Sequence, residues 1–356
     1  SLYFNPRDRI LFFNIFSFFI SFIAVFGFIL VLRPIANNVG LLDKPGPRKQ
    51  HLGNIPLIGG LAIYASITIC SFVLTPFDSH YKMYLISTSF MVLIGVLDDY
   101  HDIDAKLRLI AQCLVGSLMV FGSDLYIHEL GTLFSNEVIE LGAFGPIFTV
   151  LAVVTCINAF NMSDGVDGLV GAISLNTFIS IGVLVIYGGA NFDNSFTSIL
   201  VGAVLAFMFF NFGTFKDRRY KIFMGDAGSM LMGLTVIWLI TFTTQSSQPL
   251  MRPITAVWII AVPLIDMFSV MLRRILSGNS PLQANRDHLH HLILSKGYSN
   301  SNTTLIISGL SALLCSIGIL SELMGISETL MASLFIALFI FYNFTIIKNN
   351  KEKCIL

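Results

Sequence analysis

Apolar residues in this chain gather into long unbroken runs, not into the three-and-four spacing of a surface helix or the alternation of a half-buried strand. Eleven runs lie near 10–32, 57–75, 83–97, 107–122, 143–160, 166–187, 195–212, 227–243, 254–272, 303–321 and 327–347. Helical residues advance about 1.5 Å each, so about 20 of them cross the ~30 Å of bilayer hydrocarbon, and runs of roughly 16 to 23 residues predict membrane crossings. The third and fourth runs are the shortest. The first exceeds the apolar stretch of a signal peptide and is closely followed by Arg33, so it predicts a retained span. The expected fold is all-α: a single polytopic membrane domain over residues 1–356 with about 11 transmembrane helices, and no soluble domain, low-complexity tract or internal repeat.

Composition sharpens this picture. Hydrophobic residues make up 55% of the chain and charged residues only 12%, about half the charge of a water-soluble chain, which excludes a soluble globular enzyme. The 21 Lys and Arg balance 21 Asp and Glu, so no overall field draws nucleic acid, and none is expected as a partner. Five cysteines (Cys70, Cys113, Cys156, Cys315 and Cys354) are scattered singly, which fits neither a disulfide framework nor a zinc site; with Cys354 third from the end of this sequence, no prenylation box is expected. Assigning the connections alternately from an outer N-terminus leaves Arg7, Arg9, Lys82 and Arg252 outside and the other 17 of the 21 basic residues inside. Positive charge favours the cytoplasmic side, so the N-terminus is expected out and the C-terminus in.

Polar chemistry concentrates on that same inner side. The third run ends in Leu97-Asp98-Asp99-Tyr100-His101-Asp102 just before Lys106 and Arg108; adjacent carboxylates at a membrane helix end repel and call for cationic company, although a simple capping pair fits them too. The fifth run ends in Asn158-Ala159-Phe160-Asn161-Met162-Ser163-Asp164-Gly165-Val166-Asp167-Gly168. On a helix Asn161, Asp164 and Asp167 are neighbours along one side, and such oxygen donors suit Mg²⁺ or the hydroxyls and base edges of a ligand; the alternative is an ordinary loop of Asx turns. A third cluster joins the basic run Lys216-Asp217-Arg218-Arg219-Tyr220-Lys221 to Phe223-Met224-Gly225-Asp226-Ala227-Gly228-Ser229. Glycines around Asp226 at a helix start offer free N–H groups and the positive helix end, which suits phosphate with a divalent cation; an N-cap with small-residue packing explains the glycines but not the basic run.

Two further inner connections are polar. Asn285-Arg286-Asp287-His288-Leu289-His290-His291 lacks zinc-finger spacing, and its imidazoles beside Arg286 suit sugar hydroxyls or phosphate oxygens, unless the loop is merely solvated. Arg48-Lys49-Gln50-His51, ahead of Gly59-Gly60, reads most simply as positive-inside flanking. Asp266, inside the ninth run, reads as an interhelical hydrogen-bonder, not a catalytic group. A transporter would place its carboxylates near span centres, whereas here they sit mostly at inner ends. Five polar clusters on one side describe a site for a diphosphate at a membrane surface.

Leu97-Asp98-Asp99, the Asn161–Gly168 phrase, Phe223–Ser229 and His288-Leu289-His290-His291 together resemble the motifs of the polyprenyl-phosphate N-acetylhexosamine-1-phosphate transferases, in order and from about residue 33 to 296. The stretch from Lys221 through Trp238 and Trp258 to His291 is most similar to the bacterial branch that uses UDP-GlcNAc and undecaprenyl phosphate and begins O antigen and enterobacterial common antigen synthesis. The histidine spacing departs from the three consecutive histidines of the branch that builds peptidoglycan precursors. A related branch initiating teichoic acid linkage, or one using another UDP-N-acetylhexosamine, shares the chemistry.

The resemblance implies a multi-pass enzyme of the bacterial cytoplasmic membrane with its active site on the cytoplasmic face. It implies a requirement for Mg²⁺ or Mn²⁺, and it leaves a homodimer open. By the family pattern Asp226, with Asn161, would hold the metal; Asp98, with Asp99 beside it, would act as base or orienting group for the lipid phosphate. Lys49, Lys106 and Arg108 would contact phosphates, and Phe223, within the segment that includes Gly225 and Ser229, would lie against uracil. Asn158, Asp164 and Asp167 would contact nucleotide or sugar, and Arg286, His288, His290 and His291 would recognise the sugar.

Overall fold

The computed structural model describes residues 6–45, 53–75, 78–134, 137–188, 194–212, 220–278, 280 and 287–353, without the side chains of 6–10 and 347–353. The chain opens with α1 (Pro6–Val39), a short antiparallel ribbon of β1 (Leu42–Asp43) and β2 (Ile55–Pro56), then α2 (Gly59–Leu74), α3 (Ser79–His101) and α4 (Ala105–Ser117), which a π turn extends to Gly122. It continues through α5 (Gly145–Met162), α6 (Leu169–Gly188), α7 (Ser195–Asn211), α8 (Gly225–Gln245), α9 (Pro253–Ile259), α10 (Ala261–Leu276), α11 (Leu289–Leu294), α12 (Asn300–Leu323) and α13 (Glu328–Lys353). All eleven apolar runs fold as helices, and the protein is an all-α polytopic membrane protein. Among the described residues eight helices are long and apolar enough to cross a bilayer, or nine if α9 and α10 form one span; α2 and α7 are apolar but shorter.

The ninth run departs from its expected single helix. It breaks at Ile260 and turns by 80° between α9 and α10. The cause is Pro263, which has no N–H and whose ring would strike the carbonyl four residues back. That carbonyl, on Ile259, accepts instead from the Cys315 thiol of α12 at 3.2 Å. The third run is longer than its apolar core because Asp78 caps α3 by accepting from the Tyr81 N–H at 2.7 Å, and Asp102, at φ 53°, ends it.

Connections meet at two opposite ends. At one end the Phe223 N–H donates to the Pro56 carbonyl and the Gly59 N–H to the Phe223 carbonyl, both at 2.9 Å, and Thr304 of α12 donates to the Asp167 carbonyl at 2.8 Å. At the other, the Gln245 carboxamide oxygen accepts from the His128 N–H at 3.0 Å, Arg252 pairs with Glu322 at 3.0 Å, and Thr132 donates to Glu328 at 3.0 Å. The five polar connections expected on one side therefore converge as far as they are described.

Helix α8 forms the axis of the bundle and is buried along nearly its whole length, with α2, α3 and α5 packed around it. Close approach depends on glycine: a Cβ on Gly60 would overlap the Gly228 backbone, and one on Gly95 would overlap that of Ala227. The first turn of α8 is thereby wedged between two helices. Gly95→Val is expected to lower stability by about 1–3 kcal/mol, the usual cost of overpacking, whereas Gly27→Ala, where nothing lies within 4 Å, should be neutral; thermal unfolding in detergent measures both.

Candidate active site

The site is built on the start of α8. Gly225 adopts φ +73°, a left-handed conformation that L side chains resist, and a Cβ there would lie 2.5 Å from Asp99 Oδ2. The vacated space admits the Asp99 carboxylate of α3, which accepts from the backbone N–H of Asp226 at 2.8 Å and of Ala227 at 3.3 Å. Asp99 thus caps α8 from a neighbouring helix, satisfying donors that a helix leaves open at its N-terminus. Asn161, at the end of α5, donates to Asp226 Oδ1 at 2.6 Å and to Ser229 Oγ at 2.9 Å. Ser229 is buried behind this pair, while Asn161, Gly225 and Asp226 line the cavity.

Asp98 is held differently from its neighbour. Its side chain is 1% exposed, pairs with Arg108 of α4 at 2.6 Å and accepts from the Ile103 N–H at 2.8 Å. Arg108 is occupied with this carboxylate, and Lys106 is exposed on the same helix away from the cavity lining. Asn158 also turns away: its amide donates to Gln112 Oε1 at 2.6 Å and to the Val154 carbonyl at 2.8 Å.

The expected helical row of Asn161, Asp164 and Asp167 does not form, because α5 ends at Met162 and the next six residues make a turn in which Gly168 takes φ +71°. The turn nevertheless brings all three side chains to one cavity. Asp167 pairs with Lys221 at 2.6 Å, and the Lys221 ammonium lies 5.2 Å from the centre of the Phe223 ring. Burial first, and then the negative charges of Asp226, Asp99 and Asp167, push the Asp164 carboxyl well above the usual carboxylate range. Carboxylates forced together in this way have the chemistry of a cation site.

The histidine segment packs behind that turn. His288 and His290 are buried; the His288 Nδ1–H donates to Asp266 Oδ2 at 2.9 Å, and neither ring lines the cavity. His290 lies against Gly165, where a Cβ would overlap its Nε2, and His291 is half-buried beside it with ring centres 4.2 Å apart. Lys49 and Arg286 lie outside the described residues.

The cavity measures about 1650 Å³. Its walls also include Asp43 of β1, Lys44 next to it, Asn211 and Asn300, none of which the motifs singled out as ligand-binding residues. Asn211 supports the wall by donating to the Ile222 carbonyl at 2.8 Å. The available sequence signal was the Pro- and Gly-rich stretch Asp43-Lys44-Pro45-Gly46-Pro47, a composition that favours turns. Among the described residues no three His, Cys, Asp or Glu side chains form a metal cage. Mg²⁺ needs none, since it commonly takes one or two carboxylates together with substrate phosphates; Asp226 supplies a carboxylate, and Asn161, whose N–H₂ is spent on Asp226 and Ser229, keeps its carbonyl oxygen as the second donor.

Residues 81–244 match the family model of glycosyl transferase family 4. The chain is also similar to proteins named undecaprenyl-phosphate alpha-N-acetylglucosaminyl 1-phosphate transferase. It is 41% identical to that of Escherichia coli (strain K12), over 90% of this chain and 87% of the relative. It is 39% identical to that of Yersinia pestis, over 91% and 89%, and 40% identical to that of Haemophilus influenzae (strain Rd), over 93% of each.

His290 carries a pH signature. Burial, and then the charge of His291, lower it from 6.5 to about 4, so below pH 6.5 the unfolded chain binds a proton that the folded one refuses. Stability from this group is present above pH 6.5 and is lost as pH falls towards 4, by about 2 kcal/mol between pH 7 and pH 5. Unfolding of wild type and His290→Gln over that range should show a smaller loss in the variant.

Proposed function

This chain belongs to the glycosyl transferase family 4, among the undecaprenyl-phosphate alpha-N-acetylglucosaminyl 1-phosphate transferases, and from that premise we propose that it transfers GlcNAc 1-phosphate from UDP-GlcNAc to undecaprenyl phosphate. An oxygen of the lipid phosphate bonds to the sugar-bearing phosphorus, the bridge to the other phosphorus breaks with its electrons, and UMP leaves. The observation that carries this reading is the capped start of α8, with Asp226 facing a cavity at one end of a membrane bundle. Small-ligand pockets are roughly 300–1,000 Å³, so a cavity of about 1650 Å³ has room for a nucleotide sugar and a lipid headgroup together.

Transfer between phosphates requires positioning and neutralisation more than covalent help. When bound, Mg²⁺ or Mn²⁺ on Asp226 and Asn161 supplies charge to offset the diphosphate. Lys221, fixed by Asp167, and Lys44 present positive charge to phosphate, and the Phe223 ring offers a face to uracil. Asp98 acts as an orienting group: Arg108 and the Ile103 N–H occupy its oxygens, and the lipid phosphate is already largely ionised at neutral pH. Asp164 and Asp167 meet the nucleotide or sugar from the turn, with His288 and His290 behind them.

The short helices α2 and α7 also cross, which makes eleven crossings with the cavity on the cytoplasmic face of the bacterial inner membrane. The 17-to-4 partition of basic residues supports that orientation. The product begins a lipid-linked polysaccharide of the O antigen or enterobacterial common antigen type. Inverted and right-side-out vesicles supplied with undecaprenyl phosphate and a panel of radiolabelled UDP-sugars test chemistry and sidedness together. Labelled undecaprenyl-diphospho-GlcNAc is expected from UDP-GlcNAc in inverted vesicles alone. Product from another sugar in place of UDP-GlcNAc, or equal labelling in sealed right-side-out vesicles, would contradict the reading.

A further inference from the structure

Asp266 is a buried carboxylate outside the cavity, on α10 just beyond the break that Pro263 imposes. Apolar side chains surround it, among them Val262, Ile265 and Leu289, so an ionised carboxylate there depends on donors. It has three, from two parts of the chain. The His288 Nδ1–H donates to Oδ2 at 2.9 Å, the Leu289 N–H to Oδ1 at 2.8 Å, and the Tyr342 hydroxyl of α13 to Oδ1 at 3.3 Å. A carboxylate only accepts, so its contact with Nδ1 fixes the His288 tautomer as well as the ring position.

Two residues on, the His290 ring is 3% exposed and stacks parallel to that of His288, with centres 5.9 Å apart. Its Nε2 is buried without a hydrogen-bond partner among the described residues and rests on Gly165, where no side chain would fit. A polar nitrogen left unsatisfied against a glycine is costly unless the contact itself is needed. Gly165 sits between Asp164 and Asp167, which face the cavity. A continuous path of contacts therefore runs from Asp266 through His288 and His290 to the carboxylate-bearing turn.

We propose that Asp266 is a positioning residue for the transfer: by holding His288 and the start of α11, it props His290 under Gly165 and keeps Asp164 and Asp167 on the cavity wall. The effect on turnover rests on the proposed function; the effect on the turn does not. Asp266→Asn preserves size but sets an amide N–H₂ or a single oxygen against two demands. Either the Leu289 N–H or the His288 Nδ1–H loses its acceptor, or the imidazole changes tautomer.

The test compares wild type, Asp266→Asn and Gly165→Ala, purified in detergent, for kcat/KM with UDP-GlcNAc and for hydrogen exchange of residues 163–168 and 102–105. Asp266→Asn should lose roughly 10- to 100-fold in kcat/KM, as removal of outer-shell partners commonly does, with faster exchange in 163–168 and unchanged exchange in 102–105. Gly165→Ala, which leaves Asp266 intact, should reproduce both effects from the other side of the contact, so the test survives if the first variant fails to fold. Wild-type kcat/KM with unchanged exchange at 163–168 in either variant would overturn the proposal, as would exchange that rises equally in both segments. If the wild type itself does not turn over UDP-GlcNAc, the proposed function fails, while the exchange comparison still decides whether Asp266 holds the turn.

Discussion

The first N–H groups of a helix have no partner within the helix, and at the end of a membrane bundle water is not freely available to supply one. In this protein the start of α8 is met by a carboxylate from another helix, Asp99 of α3, and the rest of the site follows from that contact. Asp99 reaches α8 because Gly225 leaves it room, and α3 lies close enough because Gly95 carries no side chain. With the cap supplied from outside, Asp226 is left at the helix start to face the cavity, steadied by Asn161. The positive helix end favours the charge of Asp99, but it only partly offsets the repulsion among the gathered carboxylates, which together with burial pushes Asp164 well above the usual carboxylate range.

The carboxylate ends of α3 and α5 are tied together through α4. Arg108 on one turn of α4 holds Asp98, and Gln112 one turn further holds Asn158, itself three residues before Asn161. Buried polar pairs of this kind are satisfied only at one register between helices, so they fix the spacing of the helix ends that meet at the cavity. Lys221 and Asp167 make the corresponding tie between the segment leading into α8 and the turn after α5. The polar groups of the cavity thus sit on helix ends and short turns braced by the bundle.

Much of this was legible in the chain. The eleven apolar runs mark helices because hydrocarbon leaves the backbone few other structures, and the one-sided polar clusters mark the site because charge in a membrane protein needs a reason to be there. The break at Ile260 was missed, since an apolar run reads as one span and the consequence of Pro263 depends on whether a neighbour such as Cys315 can receive the freed carbonyl. A helical reading puts Asp164 and Asp167 in line with Asn161, but α5 ends at Met162, ahead of both glycines, and they sit in the turn that follows. The family pattern groups Asn158, Ser229 and Lys106 with the ligand-binding residues, but helical rotation turns the first two into the bundle and the third outward. Asp266 was read as an interhelical hydrogen-bonder, which it is; that its main partner would be His288, 22 residues away, depends on the bend after α9.

We propose that the capped start of α8, with Asp226 and Asn161, receives a divalent cation and a diphosphate together. Coupling between the two ligands measures this most directly, because linkage requires each to strengthen the other. Calorimetric titration of UDP-GlcNAc into the purified protein, with Mg²⁺ and with chelator, should show tighter binding with Mg²⁺, and the gain should vanish in Asp226→Asn. Equal affinity in Mg²⁺ and chelator for the wild type, or an undiminished gain in the variant, would contradict the account.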